Sequence, residues 1–163
     1  MARDVDLPVN LPPFQQLLDA HGADLHRFCL AQAGPHHGPD CFQDAVIAAL
    51  RAYPRVQDDR NLRGWLFTIA HHKVLDHHRA TSRRPVPAGA LPDPGSHDAP
   101  ALDDDLWESV ARLPDKQRGA VTLRYLGDLP YADIGVALGC SEAAARQNVR
   151  AGLAALRQEV SHR

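Results

Sequence analysis

The stretch from Leu129 to Leu156 constrains the fold of this chain more than any other part of the sequence. Apolar residues at helical spacing predict a first short helix, Gly139 interrupts the pattern, and Ser141 stands where a helix N-cap belongs. The second helix has an apolar stripe on one face and a polar face that carries Arg146, Gln147 and Arg150. Two short helices, a glycine-containing turn and arginines on the second helix are typical of a helix-turn-helix that presents its second helix to the major groove of DNA. The alternative for this segment alone is an ordinary pair of antiparallel helices.

Length and composition exclude several classes of protein. The 163 residues suffice for one domain or two small ones. Three cysteines without a CxxC spacing argue against a disulfide framework and fit a reducing compartment. The chain has no basic start followed by an apolar run and no stretch of 18 apolar residues. The sequence therefore predicts a cytoplasmic protein rather than a secreted or membrane-spanning one.

The charges are unevenly distributed, although the net charge is only −2. Residues 1–84 carry 10 basic and 9 acidic side chains, and residues 106–163 carry 8 basic and 6 acidic ones. Residues 85–105 carry five aspartates and no basic side chain. Neither flanking part is basic enough for strong DNA affinity by itself. If the chain binds DNA, we expect a larger partner to supply much of the electrostatic attraction.

The pattern along the chain predicts an all-α protein with two small helical domains joined by a flexible linker, the second containing the helix-turn-helix. Strand-type alternation is absent from the sequence. The linker prediction depends on five prolines and on the shortage of large apolar residues between positions 81 and 100. The expected boundaries are a flexible tail at 1–13, a first domain at 14–84, a linker at 85–104 and a second domain at 105–163.

Three or four helices are expected in the first domain, and four helices after the linker. A loop bracketed by Gly34 and Pro39 is predicted to separate the first helix from the second, which begins at Asp40. The predicted core stripe of that second helix consists of Phe42, Val46, Ile47 and Leu50. The third helix runs from Asn61 to about Arg83, and we expect its core to include Trp65, Leu66, Ile69 and Ala70.

Three motifs follow one another along these helices. The first is DCFQDAV at 40–46, the second begins NLRGWLFTIAHH at 61–72 and continues LDHHR at 75–79, and the third is LPDKQR at 113–118, just before the helix-turn-helix. In this order and at these spacings they resemble an extracytoplasmic-function (ECF) sigma factor of the sigma-70 family. The resemblance covers about 14–84 and 105–158.

The resemblance implies three binding surfaces. Residues of the first motif correspond to those with which the family binds the β′ clamp helices of core RNA polymerase: Asp40, Phe42, Gln43 and Asp44. The loop before the third helix and the polar side of that helix correspond to contacts with the −10 promoter element: Asp58, Arg60, Asn61, His72, Lys73, Asp76 and Arg79. The helix-turn-helix supplies the contacts with the −35 element: Ser141, Ala144, Arg146, Gln147 and Arg150. His72 stands where the family usually has Asn, so the preferred −10 sequence is expected to differ.

The function implied is that of a sigma factor, which is not an enzyme and needs no cofactor or metal. Its implied partners are core RNA polymerase, through the β′ clamp helices and the β subunit, promoter DNA and a cognate anti-sigma factor, with no membrane insertion. One alternative is a stand-alone helix-turn-helix regulator with a helical sensing or dimerisation domain. Another is a helical metal-binding enzyme, because the chain has ten histidines, although no four-ligand set has a recognisable spacing.

Overall fold

The computed structural model describes residues 9–83 and 104–162, and all regular secondary structure in these ranges is helical. The helices in chain order are α1 (Phe14–Ala52), α2 (Leu62–Arg83), α3 (Asp104–Ala111), α4 (Asp115–Tyr125), α5 (Tyr131–Leu138) and α6 (Glu142–Ser161). A 3₁₀ turn, Tyr53–Arg55, follows α1. The all-α prediction is confirmed. The predicted linker lies outside the described residues up to position 103, and so do residues 1–8 of the predicted tail, so the domain boundaries stay predictions.

Helix α1 contains a single sharp break at Gly34, whose φ of 82° and ψ of 171° are not helical. The predicted loop over positions 34–39 was wrong, because the helix resumes directly after Gly34. Pro35 stands at the first position after the break, where a missing backbone N–H costs nothing and the fixed φ of proline suits a helix. A proline at that position therefore starts the second half of α1 instead of ending the first.

The second half of α1 packs on the rest of the first helix group through small side chains: Cys41, Ala45 and Ala49 are fully buried. The predicted stripe was wrong in part, since Ile47 is 48% exposed and Leu50 is 53% exposed. Phe42 and Val46, also predicted for the stripe, are half-buried against the core. Small residues let two helices approach closely, and here they decide which face of the helix turns inward.

Helix α2 supplies the other side of this core. Leu66 and Ala70 are fully buried, as predicted, and Trp65 and Ile69 pack against the core from its edge. Phe67 is also fully buried and meets Phe28 of α1 edge to face, with 5.4 Å between the ring centroids. The edge-to-face geometry is the one that aromatic rings favour.

Residues just before α1 are attached to the same group of helices. Leu11 packs against the core, and the carbonyl oxygen of Pro12 accepts a hydrogen bond from the Tyr53 hydroxyl. The Tyr53 ring in turn contacts Phe14 at 5.3 Å and Trp65 at 5.9 Å between centroids. These contacts hold the entry to α1 and the end of α1 against the start of α2.

The helix-turn-helix forms at α5 and α6 as the sequence predicts. Gly139 ends α5 with a left-handed φ of 67°, a conformation that glycine adopts without strain. The hydroxyl of Ser141 accepts a hydrogen bond from the backbone N–H of Ala144 at 3.1 Å and so caps α6. Val149 and Leu156 are buried on the inward face of α6, which is the predicted apolar stripe.

The two helix groups are packed against each other. Leu123 of α4, Leu129 of the following turn and Ala137 of α5 belong to the same buried cluster as Phe67 of α2. Ala31 of α1 is buried in a second cluster with residues of α3, α4 and α6. Within the described ranges, none of the helices combines the length and the apolar character that crossing a membrane requires.

Candidate polymerase and nucleic-acid interfaces

The exposed face of the second half of α1 carries the residues predicted to contact polymerase. Asp40, Gln43 and Asp44 are exposed there, at spacings of three and four residues that align them on one side of the helix. Phe42 lies at the edge of this face, where its half-buried ring packs edge-on against His26 with 5.2 Å between the ring centroids. The face therefore presents two carboxylates and an amide.

Sequence reasoning missed that the same face continues with large apolar side chains. Ile47 follows Gln43 by four residues and Leu50 follows it by seven, and both are about half exposed. Periodicity alone assigned them to the core, because it cannot tell which of two apolar faces a helix buries. Exposed apolar residues that border a polar rim are typical of protein–protein contact surfaces.

The loop before α2 holds three of the predicted −10 residues in fixed positions. The guanidinium of Arg60 donates two hydrogen bonds to the Asp58 carboxylate, at 2.9 and 2.7 Å, and the Arg60 backbone N–H donates a third at 3.0 Å. These bonds lower the pKa of Asp58 to about 2. Asn61 accepts a hydrogen bond from the backbone N–H of Gly64 at 2.9 Å and thereby caps α2. These hydrogen bonds hold the loop in one conformation at the start of α2.

Further predicted −10 residues continue along α2. His72, Asp76 and Arg79 are exposed and Lys73 is half-buried. The Asp76 carboxylate lies between Lys73, at 3.9 Å, and Arg79, at 3.8 Å. With Arg83 in the last turn, the C-terminal half of α2 carries three basic side chains, which suits contact with a phosphate backbone.

A cleft of about 520 Å³ lies between this surface and the second helix group. The loop and α2 contribute Asp58, Asn61, Trp65, Ile69 and His72 to its walls. On the opposite side, α5 contributes Asp133, Val136 and Ala137. Three of the seven predicted −10 residues thus converge on one cleft, whereas Arg60, Lys73, Asp76 and Arg79 do not line it.

The predicted −35 residues gather at the N-terminal half of α6. Gln147 and Arg150 are exposed, and Ser141 with Ala144 forms the cap that starts the helix. Arg146 donates a hydrogen bond to the Glu142 carboxylate at 3.1 Å. Guanidinium and carboxamide groups on one helix face match the donor and acceptor pattern of guanine and adenine edges in the major groove.

Arg146 is held by a second contact that sequence reasoning missed. Its guanidinium lies over the Tyr131 ring, 4.9 Å from the centroid, and the guanidinium of Arg124 lies 4.6 Å from the same centroid. Cation–π contacts of this kind stabilise exposed pairs by about 0.5–1 kcal/mol. Tyr131 therefore fixes the direction of Arg146 before any DNA is bound. The sequence gives little indication of this contact, because Tyr131 and Arg146 belong to different helices.

The histidines do not form a metal centre in the described parts of the chain, where no group of three or more His, Cys, Asp or Glu side chains is placed to hold an ion. His37 and His77 lie ring to ring at 4.5 Å between centroids, and His36 lies 4.8 Å from His37. Burial lowers the pKa of His37, and the neighbouring His77 lowers it further.

Comparison with known proteins identifies both helix groups. The model of sigma-70 region 2 matches residues 17–84, and the model of sigma-70, region 4 matches residues 103–156. The chain is 33% identical to the ECF RNA polymerase sigma factor SigD of Mycobacterium tuberculosis, over 82% of this chain and 70% of that protein. It is 33% identical to the ECF RNA polymerase sigma factor ShbA of Streptomyces griseus, over 75% of this chain and 71% of the relative. The sigma factor RpoE of Bartonella quintana, solved in complex with the anti-sigma factor NepR, has a similar fold, with a TM-score of 0.74 and 21% identity over 93% of this chain and 98% of that one.

Proposed function

The chain belongs to the ECF sigma factors of the sigma-70 family, and from that premise we propose how its surfaces divide the work of transcription initiation. It is an RNA polymerase sigma factor that binds core polymerase and directs promoter recognition, promoter melting and initiation. The stand-alone regulator is not favoured, because such a protein has no need of sigma-70 region 2. We propose that the chain has no catalytic activity of its own, that it works in the cytoplasm, and that an anti-sigma factor restrains it.

The proposed polymerase surface is the exposed face of α1 that begins at Asp40. Its carboxylates and the Gln43 amide support a polar contact with the β′ clamp helices, and Ile47 and Leu50 extend it with apolar area. Charged groups at the rim fix the register and speed association, while apolar groups at the centre contribute most of the affinity. This mixed face is the single observation that most favours polymerase binding.

The proposed −10 surface combines the cleft with the polar edge of α2. A base that leaves the duplex needs an apolar surface to stack on and polar groups to hydrogen-bond its edge. Trp65 and Ile69 supply the first in the cleft, and Asn61 and His72 supply the second. Lys73 and Arg79 then lie where they can follow the strand by its phosphates.

The proposed −35 surface is the exposed side of α6 from its cap to Arg150. Arg146, Gln147 and Arg150 read base edges, and the capped N-terminus of α6 points its backbone N–H groups at a phosphate. Because this surface contains few cations, its affinity for duplex DNA is low without polymerase.

Run-off transcription tests the whole proposal. Core polymerase is incubated with and without the full chain on genomic fragments, and the chain is expected to produce discrete start sites that core polymerase alone does not. The control is the variant Gln43→Ala with Asp44→Arg, which should fold normally and give fewer discrete products when the chain is at a limiting concentration. Tight, specific DNA binding without polymerase, together with no effect on transcription, would overturn the assignment.

A further inference from the structure

The contact between the two helix groups is built from specific side chains. The Gln32 amide of α1 donates a hydrogen bond to the Thr122 hydroxyl of α4 at 2.5 Å, and both residues are buried. The Arg63 guanidinium of α2 donates to the carbonyl oxygen of Leu126, just after α4, at 2.7 Å from Nε. The same guanidinium pairs with Asp24 of α1 at 3.1 Å. The contact thus joins α1 and α2 to α4 through the buried pair of Gln32 and Thr122 and through the half-buried guanidinium of Arg63.

His71 of α2 lies in the middle of this contact. It is only 4% exposed, and although the backbone of Ala137 on α5 lies near the ring, neither ring nitrogen makes a hydrogen bond of good geometry. Its Cε1 lies 3.6 Å from the position that a Cβ on Gly119 of α4 would occupy, so the close approach of α4 places the ring against the helix backbone. An imidazole held in this way fills space as an apolar group does, and its burial favours the neutral form over the charged one.

The surroundings of His71 disfavour a positive charge on its ring. Desolvation lowers its pKa to about 4, His72 on the same helix lowers it as well, and the backbone of Ala137 on α5 opposes the shift. The neighbouring position on α4 is a glycine, and among the described residues no carboxylate contributes to the shift. Of the charged groups at the contact, Arg63 pairs with Asp24, and Arg118, whose Nε donates a hydrogen bond to the Gln32 amide oxygen, pairs with Asp115.

In the packed arrangement α5 closes one side of the cleft that is proposed to hold a −10 base, so it restricts access to that cleft. The packed chain is also too short to reach both promoter elements at once. A globular chain of 163 residues has an expected diameter of about 40 Å. The centres of the −35 and −10 elements are about 25 base pairs apart, or about 85 Å at 3.4 Å per pair. The 20 residues between α2 and α3 can span at most about 70 Å, so reaching both elements requires the two helix groups to separate.

We propose that the contact around His71 is an autoinhibitory latch, which keeps the free chain closed while the imidazole is neutral and opens when a positive charge is placed there. The proposal rests on the proposed function in one respect only, which is that the surfaces hidden in the closed chain are the −10 and −35 surfaces. In the closed chain α5 covers one side of the −10 cleft, and the two DNA surfaces are too close together to engage one promoter. Opening exposes the cleft and releases the helix-turn-helix to reach upstream.

The test measures the distance between the two helix groups by single-molecule energy transfer in the full chain without polymerase. Dyes are attached to cysteines introduced at the exposed positions Arg55 and Arg157, in a Cys140→Ser background. Cys29 and Cys41 are buried, and burial raises their pKa values to about 12 and 11, so neither thiol reacts with the dyes. The chain with His71 intact should give one narrow distribution of high transfer at pH 7.5.

The matched variants are His71→Arg, which adds a charge, and His71→Leu, which does not. The arginine variant should lower the closed-to-open ratio at least tenfold, and the leucine variant should stay closed. If His71→Arg loses helicity, Gln32→Ala takes its place, because it removes the hydrogen bond to Thr122 without adding charge, and it should also broaden the distribution. A broad distribution before any substitution, or a folded His71→Arg that stays closed, would overturn the latch.

Acidification provides an independent readout with a definite sign. The closed state holds His71 at a pKa of about 4 and the open state at the usual 6.5, so closing is favoured above pH 6.5 and loses that advantage as pH falls towards 4. The closed-to-open ratio should fall about tenfold between pH 7.5 and pH 5.5. His71→Leu still contains His36, His37 and His77, so a fall of the same size in this variant would overturn the role of His71.

Addition of core polymerase separates the latch from the proposed function. The labelled chain should lose high transfer when core polymerase binds. A chain that supports run-off transcription but keeps high transfer in the holoenzyme would overturn the latch and leave the sigma assignment intact. A closed free chain that neither binds polymerase nor supports transcription would overturn the assignment and leave the latch as a property of the fold.

Discussion

Gly152 in the middle of α6 should resist replacement by alanine, although helix propensity favours alanine. In an open helix the change stabilises by about 1 kcal/mol. Here Gly152 is buried, and an added Cβ would lie 2.6 Å from Cγ2 of Val121 on α4. Carbon atoms pack best at about 3.5–4.0 Å, and valine has little freedom to rotate away. The helices must therefore separate by roughly 1 Å, and overpacking of this kind costs about 1–3 kcal/mol. We expect a net loss of about 1 kcal/mol.

Urea unfolding of the full chain, followed by far-ultraviolet circular dichroism, measures this effect. Gly152→Ala should lower the midpoint for the second helix group. In a Val121→Ala background the clash is absent, so the same substitution should raise stability by about 1 kcal/mol relative to Val121→Ala alone. A change of sign between the two backgrounds is the signature of the steric conflict. If Gly152→Ala stabilises the chain while Val121 is present, the close packing of α4 on α6 has been overestimated.

Three further predictions concern the binding surfaces. Gln43→Ala with Asp44→Arg should weaken binding to core polymerase by about 1 kcal/mol or more in a titration, because it reverses a charge at the contact, with helicity unchanged. His72→Ala should leave closed-complex formation nearly intact and reduce strand opening, since His72 lies in the cleft proposed for an unpaired base; permanganate footprinting on duplex and pre-melted promoters measures both. Glu142→Gln should tighten holoenzyme binding to the upstream element about two- to fivefold and reduce its discrimination between base pairs, because it frees Arg146 from an exposed ion pair and removes a negative charge near the DNA.

Each of these predictions has a result that would contradict it. Native affinity of the double variant for core polymerase would exclude the α1 face. Equal defects of His72→Ala in closed-complex binding and on a pre-melted bubble would refute the proposed division between the two DNA surfaces. Glu108→Gln is the control for Glu142→Gln, because its partner Arg112 lies outside the proposed DNA surface. An equal gain from both variants would indicate a general charge effect.

Local signals in the sequence predicted the helix-turn-helix, because its determinants lie within a few residues of one another. Gly139 supplies the left-handed turn and Ser141 the cap, and both preferences are properties of single residues. The second half of α1 was harder to predict, since it has apolar residues on two faces. Only packing against α2 decides that Ala45 turns inward and Leu50 outward.

The contact between the helix groups could not be predicted from sequence patterns. Gln32 and Thr122 are 90 positions apart, and neither belongs to a motif. His71 follows the apolar stripe of α2 and looks like a polar residue of an exposed edge, as its neighbour His72 is. Its burial comes from the packing of α4 and α5 against α2, since the ring lies close to Gly119 and to the backbone of Ala137. Pairings of this kind depend on tertiary geometry that composition and periodicity do not encode.

The break at Gly34 determines how much of the chain one helix can organise. A straight rod of 39 residues would be about 58 Å long, whereas the 22 residues of α2 extend for about 33 Å. Folding the rod in two lets α2 touch both halves, through Phe67 against Phe28 on one side and His77 against His37 on the other. The backbone conformation of Gly34 thus sets the orientation of the half of α1 proposed to contact polymerase relative to the helix proposed to contact DNA. A substitution of Gly34 would therefore reorient the two faces relative to each other without changing any residue on either face.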